Sequence, residues 1–379
     1  MTDISYFRDI LNSDKRAREL AEHDGPIVGT LCNFVPEELI VAAGAVPLRL
    51  CGGDYDASKA VEDIFPRDVC SVAKSSLGRL RDGQGLYGRV DLLVVPTSCD
   101  VKKKLSAVLS RFVPVHTMLL PPAKDEPGTR ALWLSEVEAF RERMGTLTGT
   151  PIDRTALRAA IDLLNARQQA FRRLLKLRQR KPPRISGEEA LYITGASFLD
   201  DPVRWAEQVN KLCNTVPGAG ARSTANSAPR LLLTGAPLIH PNFKLAQIIE
   251  QAGAAIVADD ICSSTQRLYQ PVVPAEWTMR GMLEAVAEKY LLPSVCPCFT
   301  ESADRINKLI GWIEDFDIDG VVYHSLRMCA LFDIESHQFR DALRDMGVPM
   351  LTLNTDYSPE DTEQLRNRVE AFLEMIGGR

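Results

Sequence analysis

Apolar positions along this chain recur as short continuous runs, separated by stretches in which the apolar spacing becomes helical. Residues 26–31, 45–50, 90–95 and 113–119 read as strands, each ending in a small, polar or glycine-bearing turn. Pro36-Glu37-Glu38-Leu39 opens a helix, with proline at a first helical position and acids in the first turn, where the helix dipole favours them. Residues 230–235, 254–258, 319–323 and 348–353 repeat the rhythm, with amphipathic Lys244-Leu245-Ala246-Gln247-Ile248-Ile249-Glu250 between the first two. Strand alternating with helix predicts parallel, doubly wound sheets.

The two halves also align with each other. Ala42-Ala43-Gly44-Ala45-Val46 matches Gln251-Ala252-Gly253-Ala254-Ala255, Val90-Asp91-Leu92-Leu93-Val94 matches Ile318-Asp319-Gly320-Val321-Val322, and Val113-Pro114-Val115 matches Val348-Pro349-Met350. The expected fold is therefore α/β, with two Rossmann-like parallel-sheet domains and an intervening helical segment. The expected boundaries are 1–130 and 229–379 for the two α/β domains and 131–228 for the helices and linker. In the middle part, Leu157, Ile161, Leu164, Phe171, Leu174 and Leu175 form one apolar stripe, Lys181-Pro182-Pro183 stops it, and Ser223-Thr224-Ala225-Asn226-Ser227 belongs to a small-residue linker. The basic run Arg167, Arg172, Arg173, Lys176, Arg178, Arg180, Lys181 reads as a solvated helix face, with docking of an acidic partner or a phosphate-bearing cofactor as the alternative.

Composition narrows the function classes. With 379 residues, 45% hydrophobic and 25% charged, the chain has globular proportions and length for two or three domains. A net charge of −5 gives no indication of a nucleic-acid partner. The longest apolar run, 39–48, is interrupted by Pro47 and falls far short of the roughly 18 residues of a membrane span. Asp3, Arg8, Asp9, Asp14, Lys15 and Arg16 precede any apolar block, so no secretory signal is expected and the protein reads as cytoplasmic.

The unusual feature is the presence of 9 cysteines, an odd number that cannot pair completely and that a reducing cytosol would keep free. Cys32, Cys51 and Cys99 each follow a predicted strand of the first half, and Cys262 and Cys329 take matching places in the second. Cys70 opens a helix after Pro66-Arg67-Asp68, and Cys296 and Cys298 lie in the turn Pro293-Ser294-Val295-Cys296-Pro297-Cys298. Cys213 sits in the helical middle and reads as a core residue. Ligands of open α/β sheets bind at the C-terminal strand edge, so this placement favours ligation over packing. Apart from Cys296-Pro297-Cys298 there is no local pair of the kind structural zinc uses, and no ferredoxin run. Long intervals point to a site assembled from several loops, which suits an iron–sulfur cluster.

Gly29-Thr30-Leu31-Cys32-Asn33-Phe34-Val35-Pro36-Glu37-Glu38-Leu39 resembles the 2-hydroxyacyl-CoA dehydratase and class I benzoyl-CoA reductase superfamily. The likeness continues through Ala42-Ala43-Gly44-Ala45-Val46-Pro47, Pro66-Arg67-Asp68-Val69-Cys70 with Lys74-Ser75-Ser76, Thr97-Ser98-Cys99-Asp100 with Lys102-Lys103-Lys104, and Asp356-Tyr357-Ser358. Within that superfamily the chain is most similar to the double-cubane cluster proteins. The resemblance implies a homodimer and an [8Fe-9S] cluster on six cysteines: Cys32, Cys70 and Cys99 from the first domain, and Cys262, Cys296 and Cys329 from the last. It also implies an ATP-dependent activator with its own [4Fe-4S] cluster as electron donor, and a small-molecule substrate. No Gly-x4-Gly-Lys-Ser/Thr loop occurs in this chain, as expected of a component fuelled by a partner.

Two ligand positions stay open at this level. The internal alignment pairs Cys51 with Cys262, whereas the family motif points to Cys32, and Cys298 competes with Cys296. Glu37 and His324 are the expected proton donors, with His116 and Lys74 as further candidates. The alternatives are a dehydratase subunit with one [4Fe-4S] cluster and a CoA thioester substrate, a non-catalytic electron-transfer or metal-storage protein, and a structural zinc protein.

Overall fold

The computed structural model describes residues 3–12, 14–66, 68–216, 228–293 and 296–378. The linker at 217–227, Arg67 and the Ser294-Val295 pair lie outside the described residues. Each half of the chain builds one four-stranded parallel sheet. The first comprises β1 (Ile27–Thr30), β2 (Val46–Arg49), β3 (Leu92–Pro96) and β4 (Val115–Met118) in the order β2-β1-β3-β4. The second comprises β5 (Arg230–Gly235), β6 (Ala255–Ile261), β7 (Gly320–Leu326) and β8 (Met350–Thr355) in the order β6-β5-β7-β8. All eight expected strands are present, and the fold is α/β with two Rossmann-like sheets.

The repeat extends to fine detail. Asp91 precedes β3 and accepts the Ile27 N–H at 2.7 Å, and Asp319 precedes β7 and accepts the Arg230 N–H at 2.7 Å. Each carboxylate satisfies the first donor of the neighbouring strand. Two strands run further than the apolar pattern suggests. β6 continues through Asp259 and Asp260 because both carboxylates are neutralised: Arg178 reaches Asp259 at 2.5 Å and Lys308 reaches Asp260 at 2.9 Å. β7 extends through His324 to Leu326.

Helices cover both faces of both sheets, and they cross between the halves. α1 (Ser5–Asn12) and α2 (Lys15–Ala21) precede β1; α3 (Glu37–Ala42) follows it, with Pro36 at the N-cap, one position earlier than expected. α4 (Tyr55–Lys59) and α5 (Ser71–Asp82) follow β2, and α6 (Asp100–Leu109) follows β3. The middle holds α7 (Thr129–Thr148), α8 (Arg154–Gln179), α9 (Gly187–Ala196) and α10 (Pro202–Thr215). The second half adds α11 (Lys244–Gln251), α12 (Thr265–Leu268), α13 (Met279–Leu291), α14 (Ala303–Asp315), α15 (Ala330–Asp345) and α16 (Thr362–Gly377). Phe7 and Ile10 of α1 pack with α9 and α10 into the core of the second sheet. Met282 and Val286 of α13, from the second half, pack against Trp133 and Phe140 of α7 in the core of the first. α8 serves both, with Leu157 and Ile161 in the first core and Phe171 and Leu174 in the other.

The basic run is a solvated face over most of its length, with Arg172, Arg173, Lys176, Arg180 and Lys181 exposed, but two of its members turn inward. Arg167 and Arg178 are buried in ion pairs with Glu37 and Asp259, Arg172 donates to the Tyr269 carbonyl, and Arg173 bonds Asn210 and Asn214. The two cations that this helix buries are the ones paired with carboxylates. No described helix is long and apolar enough to cross a membrane.

The halves close on each other where β2 and β5 end. A Cβ on Gly53 would lie 2.1 Å from the Ile239 carbonyl oxygen, and Tyr357 donates its hydroxyl hydrogen to the Gly52 carbonyl at 3.0 Å. Backbone meets backbone here, so neither side can swing away as a side chain would. Gly53→Ala is expected to cost about 1–3 kcal/mol by overpacking, read as a lower urea midpoint with an unchanged slope.

Candidate functional site

Between the C-terminal edges of the two sheets lies a cavity of about 520 Å³. Eight cysteines line it: Cys32, Cys51, Cys70, Cys99, Cys262, Cys296, Cys298 and Cys329. The six expected ligands are thus brought to one place, together with Cys51 and Cys298, while Cys213 belongs to α10 and does not line it. Local structure explains the convergence. Cys32 lies between β1 and α3, Cys51 and Cys262 follow β2 and β6, and Cys296 and Cys298 follow α13. Cys70, Cys99 and Cys329 are the N-caps of α5, α6 and α15. Each N-cap thiol sits at the positive end of a helix, next to backbone N–H groups without helical partners. Between the cysteines the wall is largely apolar, with Phe34, Leu120, Pro121, Pro237 and Phe332. All nine thiols are free. They are spread around the wall, and among the described residues no three His, Cys, Asp or Glu side chains converge as ligands of a single ion.

Charge is distributed unevenly over this wall. Burial pushes the Cys262 thiol up to about 11 and Cys329 up to about 12, and raises Cys70. Burial also opposes ionisation of Cys32, but the Lys102 ammonium, the Arg49 guanidinium and a hydrogen bond with Ser98 outweigh it and bring the thiol down to about 7. A hydrogen bond between Cys298 and Cys296 holds Cys296 down and Cys298 up. Lys102 is half-buried; its thiol neighbours Cys32, Cys99 and Cys51 overcome the desolvation penalty and hold its ammonium well above the ordinary lysine range. Sequence reasoning included Lys102 only as part of a motif and missed Arg49. The available signals were the spacing of Lys102, one helical turn beyond Cys99, and the position of Arg49 at a strand end beside Cys51.

The expected proton donors lie elsewhere. Glu37 does not line the cavity; its carboxylate is buried between the Arg167 and Arg267 guanidiniums. Burial alone would raise it, but the two cations hold it far below the usual carboxylate range, so it is ionised and has no proton to give. Next to it, Glu38 accepts from Lys289 at 2.6 Å and from the Tyr290 hydroxyl at 2.9 Å, and the Glu37 N–H donates to the Tyr290 oxygen at 3.0 Å. Glu37 is therefore corrected from proton donor to structural anion. His324, on β7, also lies off the cavity, with Nδ1 3.2 Å from the Ala236 carbonyl oxygen. Burial lowers its imidazole to about 4, which leaves it neutral at pH 7. His116 stacks on Phe140 at 5.4 Å and is lowered by burial; neither it nor Lys74 lines the cavity.

Cys51 also lines a second cavity of about 310 Å³, bounded by Arg49, Arg79, Tyr87 and His240 and by the apolar side chains of Ile10, Phe198 and Leu238. The thiol cavity and this smaller chamber therefore meet at Cys51.

Comparison with known proteins places this geometry in context. The family model described as 2-hydroxyglutaryl-CoA dehydratase, D-component, matches residues 32–376, from Cys32 almost to the end of α16. A putative dehydratase subunit, YjiM, of Escherichia coli (strain K12) is 32% identical over 94% of this chain and 93% of its own. The (R)-phenyllactyl-CoA dehydratase beta subunit of Clostridium sporogenes is 22% identical over 98% of this chain and 97% of its own. A benzoyl-CoA reductase subunit of Thauera aromatica is 22% identical over 98% of this chain and 96% of its own.

Replacing Glu37 by Gln leaves two buried guanidiniums without their anion, and such removals cost about 3–5 kcal/mol. Because Glu37 has a folded pKa below its unfolded one, its contribution is complete above about pH 4.3 and fades as pH falls below that. The expected result in urea unfolding is a large deficit for Glu37→Gln at pH 7 that narrows progressively in acid.

Proposed function

The chain belongs to the 2-hydroxyglutaryl-CoA dehydratase D-component family, and from that premise we propose that it is an iron–sulfur reductase component carrying an [8Fe-9S] double-cubane cluster. In this reading Cys32, Cys70 and Cys99 hold one cubane, and Cys262, Cys296 and Cys329 hold the other. The observation that supports it is the single cavity lined by eight thiols drawn from both sheets. Thiolates are the soft donors that iron–sulfur clusters take, and a spread set suits a polynuclear group in which each iron accepts its own thiolate. Such a cluster supplies one-electron chemistry at low potential.

The protein's own groups would do the rest. Lys102 and Arg49 balance the charge of ionised cysteines, Ser98 positions Cys32 at 3.6 Å between the oxygen and the sulfur, and helix N-termini back Cys70, Cys99 and Cys329. Phe34, Leu120 and Phe332 give the cavity an apolar lining that lowers the local dielectric and so would strengthen each of these interactions. The smaller chamber beyond Cys51 offers a small substrate a place beside the cluster. The electrons come from an ATP-dependent activator with its own [4Fe-4S] cluster, the working unit is a homodimer, and free thiols of this kind suit a reducing cytoplasm.

A second reading, a dehydratase subunit with one [4Fe-4S] cluster acting on a CoA thioester, is favoured by the names of the beta-subunit relatives.

Anaerobic purification followed by iron and acid-labile sulfide analysis separates these readings. About eight irons per chain are expected; about four would favour the dehydratase form, and zinc without sulfide would exclude both. Serine replacement of Cys32 is then expected to lower the iron content, whereas serine replacement of Cys51 or of Cys213 leaves it unchanged. The opposite result for Cys51 would transfer the ligand role to it.

A further inference from the structure

The two halves of the thiol cavity repeat each other in backbone but not in charge. Cys99 and Cys329 each stand three residues beyond the end of a central strand, at Pro96 in β3 and Leu326 in β7, and each caps the following helix. Three residues further on, one half carries Lys102 and the other Phe332, and both line the cavity. The Lys102 ammonium donates to Ser98 Oγ at 3.2 Å and is surrounded by Cys32, Cys51 and Cys99. The Arg49 guanidinium, by contrast, bridges the two halves: it donates to the Asn33 side chain and to the Cys262 carbonyl, and it lies 3.7 Å from the Cys262 sulfur. Among the described residues, neither cation has a carboxylate within ion-pair distance.

In the other half the charges are already matched. Arg305, near Cys296, pairs with Glu335 at 3.1 Å and approaches Asp260 at 3.9 Å, and Asp333 puts negative charge near Cys329. A helix N-terminus lies behind Cys99 and Cys329 alike, so it contributes nothing to the difference. A cation half-buried in a largely apolar wall without an anionic partner stabilises negative charge placed beside it more than it would in bulk water.

We propose that Lys102 polarises the cavity, so that added negative charge settles on the side of Cys32, Cys70 and Cys99. This rests on the double-cubane reading above. For a cluster shared between the halves, the part on those three cysteines takes the first electron, and Lys102 acts as a fixed counter-ion through the sulfurs beside it.

The test is an anaerobic titration with titanium(III) citrate, followed by electron paramagnetic resonance, on the iron-loaded full chain and on Lys102→Met, Lys102→Arg and Phe332→Lys. Lys102→Met is expected to keep the wild-type iron content. Its first, less negative reduction step should become at least tenfold less favourable, a shift of about 59 mV for one electron, and the second step should move less. Lys102→Arg should stay near wild type, and Phe332→Lys should raise the second step and narrow the gap. Full iron with an unmoved first step, or movement of the second step alone, overturns this inference and leaves the cluster reading intact. If Lys102→Met takes up no iron, Phe332→Lys decides, and an unmoved second step overturns the inference. Loss of iron from both, with Lys102→Arg loaded, overturns it too, since the side chains would then govern assembly and not polarity. An iron count near zero or four in the wild-type chain overturns the double-cubane reading and this inference with it.

Discussion

Glu37 and Glu38 are adjacent carboxylates sealed inside the molecule, and the geometry of the cysteine cavity depends on what neutralises them. Arg167 on α8, Arg267 on α12, and Lys289 and Tyr290 on α13 converge on the first turn of α3. Three of the elements in this node lead directly to cysteines. Glu37 lies five residues after Cys32, Arg267 five residues after Cys262, and Tyr290 six residues before Cys296. Loops from both halves are thus tied at a fixed distance to one buried polar point. An apolar contact at that point would tolerate sliding, whereas ion pairs and hydrogen bonds in a low-dielectric interior do not. Buried charges often add little net stability compared with a well-packed apolar core. Here they add register, which a site assembled from loops more than 200 residues apart requires.

The parallel topology does the coarse work that the node refines. In both sheets every strand points its C-terminal end toward the same cavity, and the loops leaving those ends enter helices whose N-termini face inward. One arrangement therefore delivers sulfurs and partial positive charge together. The exchange of helices between the halves, with α1 on the second sheet and α13 on the first, binds the two edges across the cavity in a way that a simple linker between independent units would not.

Much of this is legible in the sequence, for physical reasons. Parallel strands are buried on both faces, so they read as continuous apolar runs, and Leu231-Leu232-Leu233 or Leu92-Leu93-Val94-Val95 admit few other readings. The neighbourhood of the cysteines is legible because strand ends are. Which sulfurs act is not: a position at a sheet edge fixes a residue to within a few ångströms of the cavity, and that describes Cys51 and Cys298 as well as Cys32 and Cys296. The apolar pattern ends β6 at Ala258 because two adjacent aspartates read as a turn, and their neutralisers, Arg178 and Lys308, are 81 and 48 residues away. Glu37 misleads for the same reason. An acid beside a ligand-bearing loop suggests proton chemistry, and the guanidiniums that fix its charge lie 130 and 230 residues along the chain.

Duplication explains the shape of the cavity but not its chemistry. Two sheets with the same strand order and the same aspartate at the same strand entrance would by themselves give a cavity with two equivalent ends. The ends differ because single side chains at matching positions differ: lysine at 102 and phenylalanine at 332, with the compensated Arg305 on the second side and Arg49 between the two. Backbone symmetry is hard to break, since it rests on strand register and on helices packed from both halves. Charge symmetry can be broken by one residue without disturbing either. Lysine at 102 against phenylalanine at 332 is an asymmetry of this second kind, set into two halves that keep the same strand order.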